Sequence, residues 1–216
     1  MENSKQTFFV GGTVRDILLK RNVKDVDIST SIKPEVVAEI LKKHYIDFNQ
    51  TYKNLGIIIA LKEQHAIAVA TFRKEAYSKS RYPKITFIQE AKKDSERRDF
   101  TINSLYLSLK NGQILDFHNG LEDIKKKKIC FIGDPKKRIT DDPLRIVRAL
   151  RFSLELNFKI ENKSYLAIKN KFLTLGTLTK TKIFSEVEKL TNLSQRKILI
   201  KCLTNEKNLD KYFKSR

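Results

Sequence analysis

The chain has 216 residues, 44 of them Lys or Arg against 25 Asp or Glu, for a formal charge of +19 at 40% hydrophobic and 32% charged residues. This length allows one large domain or two small ones and excludes a multidomain machine. Mean hydropathy is −0.43, and no run approaches the ~18 apolar residues of a membrane span, so no membrane association and a cytoplasmic location are expected.

Residues 1–6 are polar and lack the apolar run of a signal peptide. Cys130 and Cys202, and His44, His65 and His118, are too scattered for a disulfide scaffold or a zinc site. The positive charge suits a polyanion such as nucleic acid, although 32 Lys against 12 Arg is also what a general lysine bias gives. Arginine offers a planar, bidentate fork that lysine cannot copy, so its placement is more informative than the total. Seven of the 12 arginines fall within residues 11–16, 71–73, 97–105 and 141–152.

In chain order, 7–10 is a short β-type run broken by Gly11-Gly12, and 14–20 reads as a helix. Val26 and Ile28 alternate with Asp25, Asp27 and Ser29, the period of a strand. Pro34 opens a helix over 34–44. Residues 56–61 and 66–72 read as a hairpin, 74–84 as a polar loop and 85–88 as a strand. The pattern turns helical from Asp94. A second hairpin follows over 105–109 and 114–117 about Asn111-Gly112. After a short run at 129–132, everything beyond Asp134-Pro135 reads as helix, over 141–157, 162–172, 182–191 and 194–203, with Asp142 capping the first. The expected class is α+β, a mixed-sheet head over 1–135 and a helical portion over 136–216.

Asp25 and Asp27, two apart on a strand, project carboxylates from one face and suit Mg²⁺, which keeps waters and binds phosphates. A pair of such ions can clamp both oxygens of an in-line phosphoryl displacement. Gly11-Gly12, between strand and helix, can offer backbone N–H groups to a triphosphate, with Arg15 adding a cationic fork. Alone, either signal is weak, since acidic pairs and tight turns are common. Asp142, Arg145 and Arg148 are spaced to share one helix face, and an Asp beside an Arg offers acceptors and donors matching the edges of C and A.

Five segments occur in order: Phe9-Val10-Gly11-Gly12-Thr13-Val14-Arg15-Asp16, Asp25-Val26-Asp27, Arg97-Arg98-Asp99-Phe100-Thr101-Ile102-Asn103, Asp116-Phe117-His118-Asn119-Gly120-Leu121-Glu122-Asp123, and Asp142-Pro143-Leu144-Arg145-Ile146-Val147-Arg148-Ala149-Leu150-Arg151-Phe152. Together they resemble the class II tRNA nucleotidyltransferase and bacterial poly(A) polymerase family, from about residue 7 to about 190. The resemblance implies a polymerase-β-like nucleotidyltransferase head with a helical neck. It implies that Asp25 and Asp27 hold Mg²⁺, that Gly11, Gly12 and Arg15 meet the triphosphate, and that Arg98, Asp99 and Asn103 hold ribose and phosphates. Asp142 and Arg145 would present an edge to the base in place of a template, with Arg148 and Arg151 completing the pocket. The reaction implied is attack of a tRNA 3′-hydroxyl on the α-phosphate of CTP or ATP with release of pyrophosphate, and it needs no covalent nucleophile.

Two departures stand out. Relatives carry an acidic residue shortly before Thr71-Phe72-Arg73, where this chain has Ile67-Ala68-Val69-Ala70. Relatives also continue into body and tail helices that grip the tRNA elbow. Here residues 153–216 carry 14 basic and 6 acidic residues, so a diffuse positive field reading mainly the acceptor stem is expected, with salt-sensitive activity; a homodimer or a partner chain is the other source of a missing body. The retained segment 74–84, with Arg81-Tyr82-Pro83, favours CCA addition, or A addition to tRNA ending in CC, over CC addition. Poly(A) synthesis and a non-catalytic RNA-binding module are the rival readings.

Overall fold

The computed structural model describes residues 6–77 and 83–214. It resolves into two units, Met1–Arg98 with Ile102–Leu121, and Asp99–Thr101 with Glu122–Arg216. The chain therefore passes from one unit to the other between neighbouring residues Arg98 and Asp99.

The first unit is built on β1 (Thr7–Val10), α1 (Gly12–Leu18), β2 (Val26–Thr30), α2 (Pro34–Lys43), β3 (Asp47–Asn49), β4 (Ile57–Lys62), β5 (His65–Thr71), β6 (Arg73–Ala76), β7 (Lys84–Phe87), α3 (Ala91–Ser95), β8 (Tyr106–Ser108) and β9 (Ile114–Leu115). Seven strands form one sheet in the order β3-β4-β5-β2-β1-β8-β9. In this sheet β2 and β5 pair in parallel, and the other described pairings are antiparallel. Register sets which side chains share a face. Phe8 lies opposite Ser29, Val10 opposite Tyr106, and Asp27 beside Ala68. With Phe9 opposite Ile28, the pairs Tyr106–Val10 and Asp27–Ala68 fall in one row across four strands. That face carries an aromatic core of Phe8, Phe72 and Tyr106, with ring centroids 5.7–6.2 Å apart.

The segment expected to be a loop over 74–84 is different. β6 and β7 pair from Arg73–Phe87 to Ala76–Lys84 as a separate hairpin. Its residues alternate in burial, with Arg73 and Glu75 half-buried, and alternating charge on a ribbon hides the apolar period that betrays a strand. Arg81 and Tyr82 lie outside the described residues. β3 was not read from the sequence, being three residues on the sheet edge. The helical pattern expected from Asp94 onward ends almost at once, with α3 closing at Ser95 and a 3₁₀ turn over Thr101–Asn103.

The second unit takes most of α4 (Gly120–Lys125), with β10 (Lys128–Ile129), α5 (Pro135–Asp141), α6 (Leu144–Leu156), β11 (Lys159–Ile160), α7 (Asn162–Lys171), α8 (Lys180–Val187), α9 (Leu193–Thr204) and α10 (Lys207–Phe213). Phe100 packs 4.9 Å from Phe131 and 5.7 Å from Phe152, ring to ring. Ile146, Val147 and Leu150 line the inner face of α6. Side chains satisfy three helix starts. Asp134 accepts from Lys136 and Lys137 N–H, Glu161 from Lys163 and Ser164, and Asn192 from Ser194 and Gln195. The all-helix expectation past Asp134 fails at β11, which pairs in parallel with β10 after Asn157 ends α6 at φ +54.

Asp142 also departs from the expectation that it shares one helix with Arg145 and Arg148. It lies outside α6, extended at φ −149°, ψ 101°, because a residue before proline is pushed away from helical geometry. It therefore does not share a continuous helix with Arg145 and Arg148, although its Oδ1 still accepts from Leu144 N–H at 3.2 Å.

Candidate active site

The turn between β1 and α1 needs glycine at position 11, where φ is +67°. A Cβ there would lie 3.4 Å from Arg98 Nη1 and 3.9 Å from Asp27 Oδ2, so a cation and a carboxylate converge on bare backbone. Gly12 follows, and a Cβ on it would meet Arg15 Nη2 at 3.5 Å.

Arg15 is buried. Its guanidinium donates to Asp16 Oδ1 at 2.9 Å and to Asn103 Oδ1 at 2.7 Å. Arg15, the cation expected at the triphosphate, thus ties the turn to Asn103.

Thr13 ties this turn to β2. Its Oγ1 donates to the Asp25 carbonyl at 3.1 Å and accepts from Asp27 N–H at 2.9 Å. Asp25 stands at the bend one residue ahead of β2, and Asp27 is in the strand. The Thr13 hydroxyl thereby fixes the backbone that carries both carboxylates, a role that sequence reading missed. Burial raises the Asp27 pKa above the usual carboxylate range; Arg98 opposes this and Asp25 reinforces it.

Asp25 disfavours the charge on Asp27, and the pair forms an oxygen-only donor set that suits Mg²⁺. Among the described residues no group of three or more His, Cys, Asp or Glu side chains gathers to hold a metal. Position 68, beside Asp27 in the row, holds alanine.

Arg98 is held from behind. Its Nε donates to Tyr106 Oη at 2.9 Å, and Tyr106 Oη donates to Asp94 Oδ2 at 2.6 Å. Asp94 is fully buried and also accepts from Arg97 Nε at 2.8 Å and Arg73 N–H at 2.9 Å. Burial alone would raise the Asp94 pKa, but Arg97 and Arg98 outweigh it and hold the carboxyl below its usual range.

In the helical unit, Arg148 Nε donates to Asp99 Oδ2 at 2.7 Å. Burial works against the Asp99 charge, yet Arg148 and the Phe100 N–H hold its pKa down at about 2. Arg151 donates to Glu186 Oε2 at 3.0 Å and Glu155 Oε2 at 2.6 Å, and lies 3.9 Å over the Phe152 ring. Arg145 is buried, with Nη1 donating to the Arg138 carbonyl at 2.7 Å. The structure thus brings Asp99 together with Arg148, and Gly11 with Asp27 and Arg98. It directs the Arg151 guanidinium to carboxylates. Thr13, Asp94, Tyr106 and Glu186 were all missed from sequence. The one available signal was the spacing of Asp94 to Arg98, four apart.

Residues 7–130 match the model of the poly(A) polymerase head domain. The chain belongs to that family. It is 38% identical over 192 residues to the CCA-adding enzyme of Lactococcus lactis subsp. lactis, covering 88% of this chain and 48% of that enzyme. It is 42% identical over 187 residues to the CCA-adding enzyme of Lactobacillus helveticus, covering 86% and 46%. The crystal structure of Bacillus stearothermophilus CCA-adding enzyme in complex with CTP is similar at a TM-score of 0.80 and 31% identity, over 92% of this chain and 48% of that one. A tRNA nucleotidyltransferase complexed with a primer tRNA and an incoming ATP analog is similar at 0.77 and 27%, over 97% and 59%. The chain spans about half the length of the curated relatives it matches. No described helix is long and apolar enough to cross a membrane.

Proposed function

We propose that this chain carries a template-independent nucleotidyltransferase that adds CCA to the 3′ end of tRNA in the cytoplasm, using CTP and ATP and releasing pyrophosphate. The observation that carries this reading is the convergence of Arg98 and Asp27 on the glycine turn at Gly11. Backbone free of side chains, a cation and a metal-suited carboxylate pair are what a bound triphosphate needs in one place.

Asp25 and Asp27 would hold Mg²⁺, which supplies charge neutralisation at the α-phosphate and activation of the 3′-hydroxyl when bound. Thr13 keeps the two carboxylates in register with the turn. Arg98 meets the phosphates and favours charge developing on the pyrophosphate as the bond between the α- and β-phosphates breaks. Gly11 and Gly12 let the triphosphate approach the backbone, and Arg15 acts through the turn it braces. Asp142 and Arg145 would supply the donor and acceptor edge for C or A, and Asp99, paired with Arg148, would bind ribose or phosphate, as the family resemblance implies. The lysine field of residues 153–216 meets the acceptor-stem backbone.

The test uses tRNA ending at the discriminator base, at C or at CC, with labelled CTP and ATP supplied separately and together in Mg²⁺. C incorporation into the shortest tRNA is expected, and Asp27→Ala should lower it by about 10³-fold or more while RNA binding persists. Incorporation of A alone, only into tRNA ending in CC, would replace this reading with A addition. No incorporation by the wild type, with Asp27→Ala binding RNA equally well, would leave a binding module.

A further inference from the structure

We propose that Tyr106 and Asp94 are positioning residues that aim Arg98 at the triphosphate. This rests on the nucleotidyltransferase reading of the same site. The geometry is a relay read from the inside outward. Asp94 is anchored by the Arg73 N–H and Arg97 Nε on Oδ1, which leaves Oδ2 for Tyr106. Ser29 Oγ, on the same face of β2 as Asp27, approaches Oδ2 at 3.5 Å. With its proton committed to Asp94, the Tyr106 oxygen offers a lone pair to Arg98 Nε. Arg98 Nη2 lies 3.5 Å from Asp94 Oδ2, and Nη1 is the end that lies toward Gly11.

One edge of the guanidinium is thus fixed by a neutral phenol and a carboxylate, and the opposite corner faces the turn. An arginine in water samples many rotamers. Held this way, it loses little more when a phosphate arrives. The tyrosine itself cannot drift. Its ring is fully buried between Phe8, Phe72 and Phe117, and β8 register sets it opposite Val10, in the row that also holds Asp27. The Tyr106 hydroxyl, a neutral acceptor on Nε, orients the cation alongside the longer ion pair from Nη2 to Asp94.

The experiment measures CTP and ATP affinity by titration calorimetry in Mg²⁺, alongside steady-state incorporation, for wild type, Tyr106→Phe, Arg98→Ala and the double variant. Tyr106→Phe keeps the ring and removes only the relay. It should weaken triphosphate affinity and raise KM by about tenfold, with kcat changed by less than about threefold. In the Arg98→Ala background the same substitution should change affinity by less than about twofold, because the residue through which it acts is gone. A purely structural role predicts equal effects in both backgrounds, and that result overturns the proposal. Tyr106→Phe binding triphosphate as tightly as wild type overturns this proposal alone, whereas a wild type that binds no triphosphate overturns the function as well. Should Tyr106→Phe not fold, Asp94→Asn takes the same four-way comparison with the same outcomes.

Discussion

Both units restrain arginines with a buried carboxylate, and they do it differently. In the sheet unit, Asp94 reaches Arg98 chiefly through the Tyr106 hydroxyl and spends its other oxygen on Arg97 and a backbone N–H. In the helical unit, Glu186 bridges Arg148 and Arg151 directly, with Lys189 joining the cluster and Glu155 and Asp99 completing it. In the first device the side chains of Asp94, Arg97, Arg98 and Tyr106 lie within 12 positions of one another, and the Arg73 N–H comes from 21 positions away. The second takes Glu186 from α8, 35 positions beyond Arg151. A local, partly neutral relay sets an angle; a bridge between distant helices holds α6 and α8 together as well.

The largest effect should therefore come from the bridge. Glu186→Gln keeps the shape but leaves two arginines short of counter-charge. Breaking a buried ion pair costs roughly 3–5 kcal/mol. The remaining pairs of Arg151 with Glu155 and Arg148 with Asp99 should limit the loss to about 2 kcal/mol. In a chain of this length that lowers the melting temperature by about 4–8 °C. Tyr106→Phe should cost about 1 kcal/mol, the worth of an ordinary hydrogen bond. If the two variants melt alike, the contrast between bridge and relay is lost.

A middle-sized effect separates the same devices by pH. Arg148 and the Phe100 N–H hold Asp99 at about 2 against its burial, while an unfolded Asp titrates near 3.9. A depressed folded pKa stabilises above the unfolded value, so this contribution is present above about pH 4 and disappears as pH falls toward about 2. Urea unfolding of wild type and Asp99→Asn should differ most at about pH 6 and converge at about pH 2. A gap of the same size at both ends would assign the effect to packing instead of to charge.

What could be read from the sequence has a physical pattern. Gly11 and the Asp25–Asp27 pair were legible because their chemistry is written in neighbouring residues: a left-handed backbone needs glycine, and a strand period brings alternate side chains to one face. Asp94 was not. Lys92-Lys93-Asp94-Ser95-Glu96 has the composition of a solvated helix, and only the fold closes Arg73, Tyr106 and Ser29 over it. Glu186 is hidden in the same way among Lys182, Glu188 and Lys189. Thr13 was passed over within a motif because its side chain acts on the backbone of residues 25 and 27, a contact with no sequence period. The spacing of Asp142 to Arg145 fits one helical turn, but Pro143 pushes Asp142 to extended backbone, and that pre-proline restriction is written in the sequence.

The smallest effect lies where the sheet unit is short of negative charge. Glu186, Glu155 and Asp99 surround the arginines of the helical unit, but beside Asp27 in the row the next position is Ala68. Residues paired across neighbouring strands send side chains to the same face about 5 Å apart, so Ala68→Glu would bring a third carboxylate to the Asp25–Asp27 pair. Without a cation, three carboxylates repel and the variant should melt below wild type; adding Mg²⁺ should recover more stability in the variant than in wild type. The Mg²⁺ concentration for half-maximal incorporation should fall by about threefold, because cation affinity follows the number of charged ligands. If Mg²⁺ raises the melting temperature of both proteins equally and the half-maximal concentration does not move, position 68 does not face the cation. In that case the row that ties Tyr106, Val10, Asp27 and Ala68 together does not extend to the metal.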